Sequence, residues 1–208
     1  MAKKILITIA RQYGSGGREI GERVAEKLGI PIYDGMLITE AATKSNFNED
    51  VLKSIDESSA NSLLYTLAMG SNTLGAAMHF GYKMPINDKL FLLQSQVIRD
   101  YAAMGSGVFI GRCADYVLRG EADVIRLFIY GDLEHRKERV ASRHPELKPS
   151  QIIDAINKTD KRRSTYYNFY TGNKWGKYDN YDMAINSSTL GIEGTAELIC
   201  QFARKMSE

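Results

Sequence analysis

Residues Ile5 to Asp34 read ILITIARQYGSGGREIGERVAEKLGIPIYD, and the rest of the chain is interpreted outward from them. Ile5 to Ile9 is an apolar run too short for a helix and polar on neither face, as in a parallel strand buried on both sides. Gly14-Ser15-Gly16-Gly17 follows as a turn. Ile20, Val24, Ala25 and Leu28 then recur at helical spacing, and Gly29 before Pro31 predicts a left-handed cap and a stop. Ile30 to Tyr33 makes a second short strand. The unit is strand, glycine loop, helix, strand.

Such a loop is suited to an anion. The first N–H groups of a helix lack internal partners, and the helix dipole adds partial positive charge at the same end. Side chains at Gly14, Gly16 or Gly17 would hold the backbone away from phosphate oxygens or forbid left-handed dihedrals. The usual pattern for a phosphate-binding loop, G-x-x-x-x-G-K-[ST], is not met. With Gly16 as the last loop glycine, Arg11 stands at the first glycine, Gly17 at the lysine and Arg18 at the hydroxyl. With Gly17 last, Gln12, Arg18 and Glu19 take those places. Neither register supplies a lysine, and Arg18 is the nearest cation expected to reach a bound phosphate.

The 208 residues fit one α/β domain with an insertion. A formal charge of +2 gives no bulk field for nucleic acid or an anionic membrane. Cys113 and Cys200 make neither a disulfide framework nor a metal spacing, which points to a reducing cytoplasm. The apolar run after Lys3-Lys4 is too short for a signal segment, and no stretch approaches membrane-spanning length.

Residues 35 to 101 read as helical, with Leu63, Leu64, Leu67 and Ala68 on one face and Leu90, Leu92, Leu93, Val97 and Ile98 in a later helix. Met69 to Pro85, broken by glycines, is softer; His79, Met69, Met78 and Met84 read as packing or loop contacts. Val108 to Ile110 is a buried strand ending in Gly111-Arg112. The carboxyl ends of parallel strands line the ligand crevice, so Arg112 is expected near the glycine loop. Its alternative is a pair with Asp115. Val124 to Tyr130 is a further strand, and Leu133 to Arg143 a helix with Arg136, Arg139 and Arg143 in one stripe that Glu134 and Glu138 can meet. Lys158, Lys161, Arg162 and Arg163 continue the basic bias into Tyr166, Tyr167, Phe169, Tyr170 and Trp175. That mixture suits either a single-stranded nucleic acid or a lid over a phosphoryl group. The lid fits better because another strand, Asp182 to Ile185, follows before an amphipathic helix from Ile192 to Met206.

ITIARQYGSGGREIGERVAEKLGIPIYD, FIGRCADYVL, DKRRSTYYNFYTG and YDMAINSSTLGIEG together resemble the cytidylate kinase-like proteins, a branch of the P-loop nucleoside monophosphate kinases. The resemblance covers nearly the whole chain. It implies a three-layer P-loop NTPase-type α/β fold with a central parallel sheet of about five strands, over residues 1–208. A helical acceptor-binding insertion would span residues 36–104 and a helical lid residues 132–178. The implied reaction is phosphoryl transfer from ATP to a nucleoside monophosphate, CMP or dCMP first, with Mg²⁺ inferred from the reaction. Gly14, Ser15, Gly16, Gly17, Arg18 and Glu19 would hold the donor phosphates, with Arg18 in the absent lysine's part. Asp34 would orient the acceptor or hold Mg²⁺ through water, or else cap the next helix. Arg112, with Arg162 or Arg163, would stabilise charge on the moving group. Asn186 and Ser187 would lie near the donor base, or else cap the last helix. The related kinases carry an aspartate directly after Gly-Arg, where Cys113 stands here. The alternative function is a catalytically reduced nucleotide-binding module that senses or scaffolds. The expected partners are small nucleotides, with no nucleic acid or membrane.

Overall fold

The computed structural model describes residues 4–44 and 86–207. Leu6–Arg11 (β1), Ile32–Tyr33 (β2), Gly107–Ile110 (β3), Val124–Tyr130 (β4) and Met183–Asn186 (β5) form one sheet in the order β2-β3-β1-β4-β5. Every pairing is parallel. The α-helices among the described residues are Gly17–Leu28 (α1), Gly35–Lys44 (α2), Ile86–Met104 (α3), Ala114–Val117 (α4), Leu133–Arg143 (α5), Pro149–Thr171 (α6) and Ser187–Ser207 (α7). Among the described residues, no helix is long and apolar enough to cross a membrane.

The chain divides into two compact units, residues 1–35 with 98–208, and residues 36–97. The first holds the whole sheet. Side chains alternate across a strand, so Ile7, Ile9, Val108, Ile110, Ile125, Leu127 and Ile129 gather on one face, against Ile20 and Val24 of α1 and Ala196, Ile199 and Ala203 of α7. On β1 the intervening residues Thr8 and Ala10 are buried as well. That double burial is why the strand sequences carry no polar face. Ala10, Phe128 and Tyr181 cluster with Trp175, and Tyr33 stacks on Tyr101 at 4.3 Å between centroids. Truncating a fully buried residue such as Ile129 to alanine costs about 2–5 kcal/mol.

In the second unit, Ile38, Ala42, Phe91 and Leu93 are buried, and the Gln94 amide donates to the Thr39 hydroxyl at 3.0 Å. Residues 63–85, with the leucine face, the glycine breaks, His79 and the three methionines read from sequence, lie outside the described residues.

The last strand differs from the sequence reading. The last strand is Met183–Asn186 rather than 182–185, and Asp182 turns its carboxylate to Arg126, accepting from the backbone N–H and from Nη2, each at 2.7 Å. In α7 a short turn from Ser187 precedes Gly191, which is not helical (φ 66°, ψ −172°), and the long amphipathic part runs on from Ile192, where the sequence reading starts it. The register pairs Ile9 of β1 with Ile110 of β3 and with Leu127 of β4. The chain leaves β1 towards β2 and later crosses from β3 to β4, so winding reverses beside β1. In open parallel sheets the ligand crevice forms at such a reversal, beyond the carboxyl ends of the strands.

Candidate active site

The glycine loop joins the end of β1 to α1 at that crevice. Gly14 (φ 81°) and Gly16 (φ 78°) take left-handed dihedrals. A Cβ on Gly14 would lie 2.8 Å from the Arg136 carbonyl oxygen, so position 14 tolerates no side chain on two counts. Gly16 is the residue before α1, which starts at Gly17. The Ser15 amide and hydroxyl donate to the Gln12 carbonyl, and the buried Ser187 hydroxyl donates to Ser15 O at 2.7 Å. The amides of Gly14 and of Gly16 through Glu19 donate to no acceptor among the described residues. An open row of N–H groups at a helix start is the anion-binding geometry expected of this loop.

One flank of the loop is clamped by α5 and α6. Arg136 donates through Nε to Tyr13 O at 2.9 Å and through Nη2 to Asp160 Oδ2 at 2.7 Å; the Tyr13 amide donates to Asp160 Oδ1 at 2.7 Å. Burial raises the Asp160 pKa, an effect opposed by the Tyr13 amide and by Arg136. Arg139 and Arg143 both donate to Glu19 Oε2, at 2.6 and 2.9 Å. The arginine stripe therefore faces the loop and is met by Glu19 and Asp160, not by Glu134 and Glu138 as its spacing allowed; Glu134 pairs with Lys137. The sequence reading could not see this because Glu19 is 120 residues from Arg139 along the chain.

The other flank gathers arginines that make no ion pair among the described residues, although the charge of Asp160 also acts on Arg163. Gly111, Arg112 and Cys113 all take positive φ, at 75°, 54° and 55°. Two successive non-glycine residues in that region cost about 1–3 kcal/mol each, and backbone strain of this kind concentrates at ligand sites. Arg112 Nε donates to Gly35 O at 3.3 Å, and its guanidinium also hydrogen-bonds Tyr166, whose hydroxyl burial pushes up to about 12. Asp115 does not pair with Arg112. It is buried and accepts from the Tyr167 hydroxyl at 2.7 Å, and burial raises its pKa. Arg163, whose pKa burial lowers, donates through Nη1 to Arg11 O at 2.8 Å. Arg11 itself is partly buried and makes no side-chain hydrogen bond or ion pair among the described residues.

Arg18 is exposed and holds Asp34 at 2.8 Å and Glu22 at 3.1 Å. Arg162 is exposed, without a hydrogen bond or ion pair among the described residues. Asn186 donates through Nδ2 to Asp132 Oδ1 and accepts from the Ser188 amide, both at 3.0 Å. Ser187 donates to Tyr130 O as well as to Ser15 O, tying the end of β4 to the loop. Among the described residues, no three or more His, Cys, Asp or Glu side chains gather as metal ligands.

A family model for the cytidylate kinase-like family matches residues 6–189, from β1 into α7. The chain belongs to that family. Among solved structures, an uncharacterized protein from Eubacterium ventriosum is similar at 25% identity and TM-score 0.72, with 97% of this chain and 99% of that one covered. Shikimate kinase from Bacteroides thetaiotaomicron matches at 11% identity and TM-score 0.53, over 97% of this chain and 99% of that one. A gluconokinase from Sinorhizobium meliloti matches at 13% and 0.50, over 99% and 97%. At these identities the two kinases establish the fold alone: the family member has the three-layer α/β fold of P-loop kinases. A comparison with curated proteins returns no match.

Arg11, Tyr13 and Asp160 were not singled out as site residues from sequence. Tyr13 and Asp160 have no local signal. Arg11 has one, an arginine where the loop pattern has its first glycine.

Proposed function

We propose that this family member is a phosphotransferase moving a phosphoryl group from ATP to a nucleoside monophosphate, with CMP or dCMP as the first acceptor. The observation that carries the reading is the row of amides at the start of α1 that are unengaged among the described residues, together with the guanidinium groups of Arg112 and Arg163, which make no ion pair among those residues. An oxygen of the acceptor phosphate bonds to the donor's γ-phosphorus, the bond to the β,γ-bridging oxygen breaks, and ADP leaves with the electron pair. The attacking oxygen is already an anion, so the chain needs no general base; positioning and charge neutralisation supply the catalysis.

In this reading the amides from Gly14 to Glu19 hold the donor phosphates, and Arg112 and Arg163 meet charge on the moving group. Residues 132–178 are the lid region in this reading, and carry Arg162, exposed next to Arg163. Residues 36–104 recognise the acceptor, and Asn186 and Ser187 stand on the side of the donor base. Protein sites for nucleotide-bound Mg²⁺ supply only one or two carboxylates. Asp34 at the end of β2, which pairs with Arg18 in this structure, would hold the ion directly or through water once that pair opens. A bound Mg²⁺ would supply charge neutralisation to the donor phosphates. Cys113 and Cys200, buried and unpaired, are in keeping with a reducing cytoplasm.

Coupled ATP turnover over a panel of nucleoside monophosphates tests the reading, with stimulation by CMP or dCMP expected. A second reading, a nucleotide-binding module without turnover, is favoured by Gly17, which leaves the loop without its lysine. ATP binding that no acceptor converts into turnover would establish that module and overturn the kinase.

A further inference from the structure

Because α1 starts at Gly17, Gly16 is the last loop glycine. In the phosphate-loop pattern, position 11 should then be a glycine and position 17 a lysine. Here a cation stands at 11 and nothing projects from 17. The two are sterically linked: a Cβ on Gly17 would lie 2.6 Å from Arg11 Cβ and 3.0 Å from Cγ. The stem of Arg11 fills the space that a side chain at 17 would need. Its tip is held in the same way, since a Cβ on Gly111 would overlap Arg11 Nη1. The arginine thus crosses from the end of β1 to the end of β3, over the glycine loop and beside the strained Gly111-Arg112-Cys113 turn.

Its guanidinium has five N–H donors and no acceptor capacity, yet it makes no side-chain hydrogen bond among the described residues. The charges that act on it are Arg163, Arg112 and Arg18, which repel it, and Asp34, which attracts it. Asp34 is already engaged by Arg18 at 2.8 Å. Burial, then Arg163 and Arg112, lower its pKa to about 9, so it remains a cation at neutral pH. Gathering cations that outnumber the anions near them among the described residues is unfavourable unless a further anion arrives to be shared. An oligophosphate carries several negative charges in a row and accepts bidentate bonds from a planar guanidinium.

We propose that Arg11 is the substitute for the missing loop lysine, binding the β- and γ-phosphates of a nucleoside triphosphate, and that Gly17 and Gly111 are bare to let it pass. Arg112 and Arg163 complete the cationic wall. Arg18, committed to Asp34 and Glu22, has a secondary part. The inference rests on the reading that the loop binds a triphosphate, and it adds the residue that carries that binding.

Titration calorimetry with ATP and with inorganic tripolyphosphate tests it on the full chain. Arg11→Gln, which keeps the stem over Gly17, is expected to weaken both ligands about thirtyfold, and Arg18→Gln less than about threefold. Arg11→Gly combined with Gly17→Lys reinstates the usual order of glycine and lysine. That double variant should regain about tenfold or more over Arg11→Gly alone, since a lysine at 17 delivers the same charge from the other side. In the wild-type protein, the Arg11 Nε–Hε NMR resonance should shift on adding tripolyphosphate; this arm holds whether or not a variant folds. An unmoved resonance overturns the proposal, as does an Arg11→Gln protein that folds and binds ATP within threefold of wild type. If the wild type binds neither ligand, the inference and the triphosphate reading fall together. If Arg11→Gln keeps both binding and turnover, only the inference falls. Tripolyphosphate binding lost in Arg11→Gln, in a protein that no acceptor turns over, upholds the inference and removes the kinase.

Discussion

The glycine loop is flanked by two groups of arginines that differ in how their charge is met. On the α5 side, Arg136 is paired with Asp160, and Arg139 and Arg143 share Glu19. On the β3 side, Arg163 and Arg112 donate to carbonyl oxygens, Arg112 also bonds the Tyr166 hydroxyl, and Arg11 donates to nothing among the described residues. Charge matched by carboxylates within the fold is used to hold the loop in place. Charge that no ion pair meets among the described residues is what the proposed anion would meet. Removing arginines from the first group should therefore damage stability first, and from the second, anion binding first.

The largest effect is expected from Arg136→Met. It takes the ion pair from Asp160, whose side chain is 17% exposed and keeps the Tyr13 amide and the charge of Arg163, and it removes the donor to Tyr13 O. Breaking one side of such a pair costs about 3–5 kcal/mol, readable as a lower midpoint in urea unfolding. A loss below about 1 kcal/mol would break the comparison, because the α5 group would then not be structural. Gly14→Ala comes next, at about 2–4 kcal/mol by thermal unfolding, from a left-handed residue gaining a Cβ and a contact with the Arg136 carbonyl. Arg112→Met should leave the unfolding free energy within about 1 kcal/mol of wild type while weakening tripolyphosphate binding about tenfold. The reverse pattern would place Arg112 with the structural group.

The smallest effect sharpens why Asp115, three residues from Arg112, does not neutralise it. Burial raises the Asp115 pKa, and the hydrogen bond from Tyr167 opposes that shift. A carboxyl whose pKa is higher in the folded chain than in the unfolded one favours folding most below the ordinary carboxylate value of about 3.9. That contribution declines as pH rises through the folded-state pKa. Asp115→Asn should flatten this part of the stability-against-pH profile measured by chemical denaturation. A wild-type profile that instead gains stability over the same rise, with the gain lost in the variant, would show an ionised Asp115 and a matched charge on the β3 side.

Much of the frame was legible in the residues. The Gly29 cap, the strand Val124–Tyr130 and the helix Leu133–Arg143 emerge with the limits their sequences imply, because capping and hydrophobic period act over a few residues. The arginines were legible as a stripe and a cluster but not as partners. Glu19 looked like a loop residue and serves as a shared acceptor; Arg18 looked like the phosphate cation and is turned to Asp34.

The sequence by itself determined a phosphate-type loop between a buried strand and a helix, the run of α/β elements after it, and a surplus of arginine near the strand ends. Those properties follow from interactions between neighbours in the chain. Only the tertiary structure decided where each arginine lies. That depends on the parallel register setting Ile9 beside Ile110, which carries Arg11 across to Gly111, and on acids 24 and 120 residues away claiming the α5 arginines. Electrostatic pairing acts through space, so its assignment waits until the strands are in register.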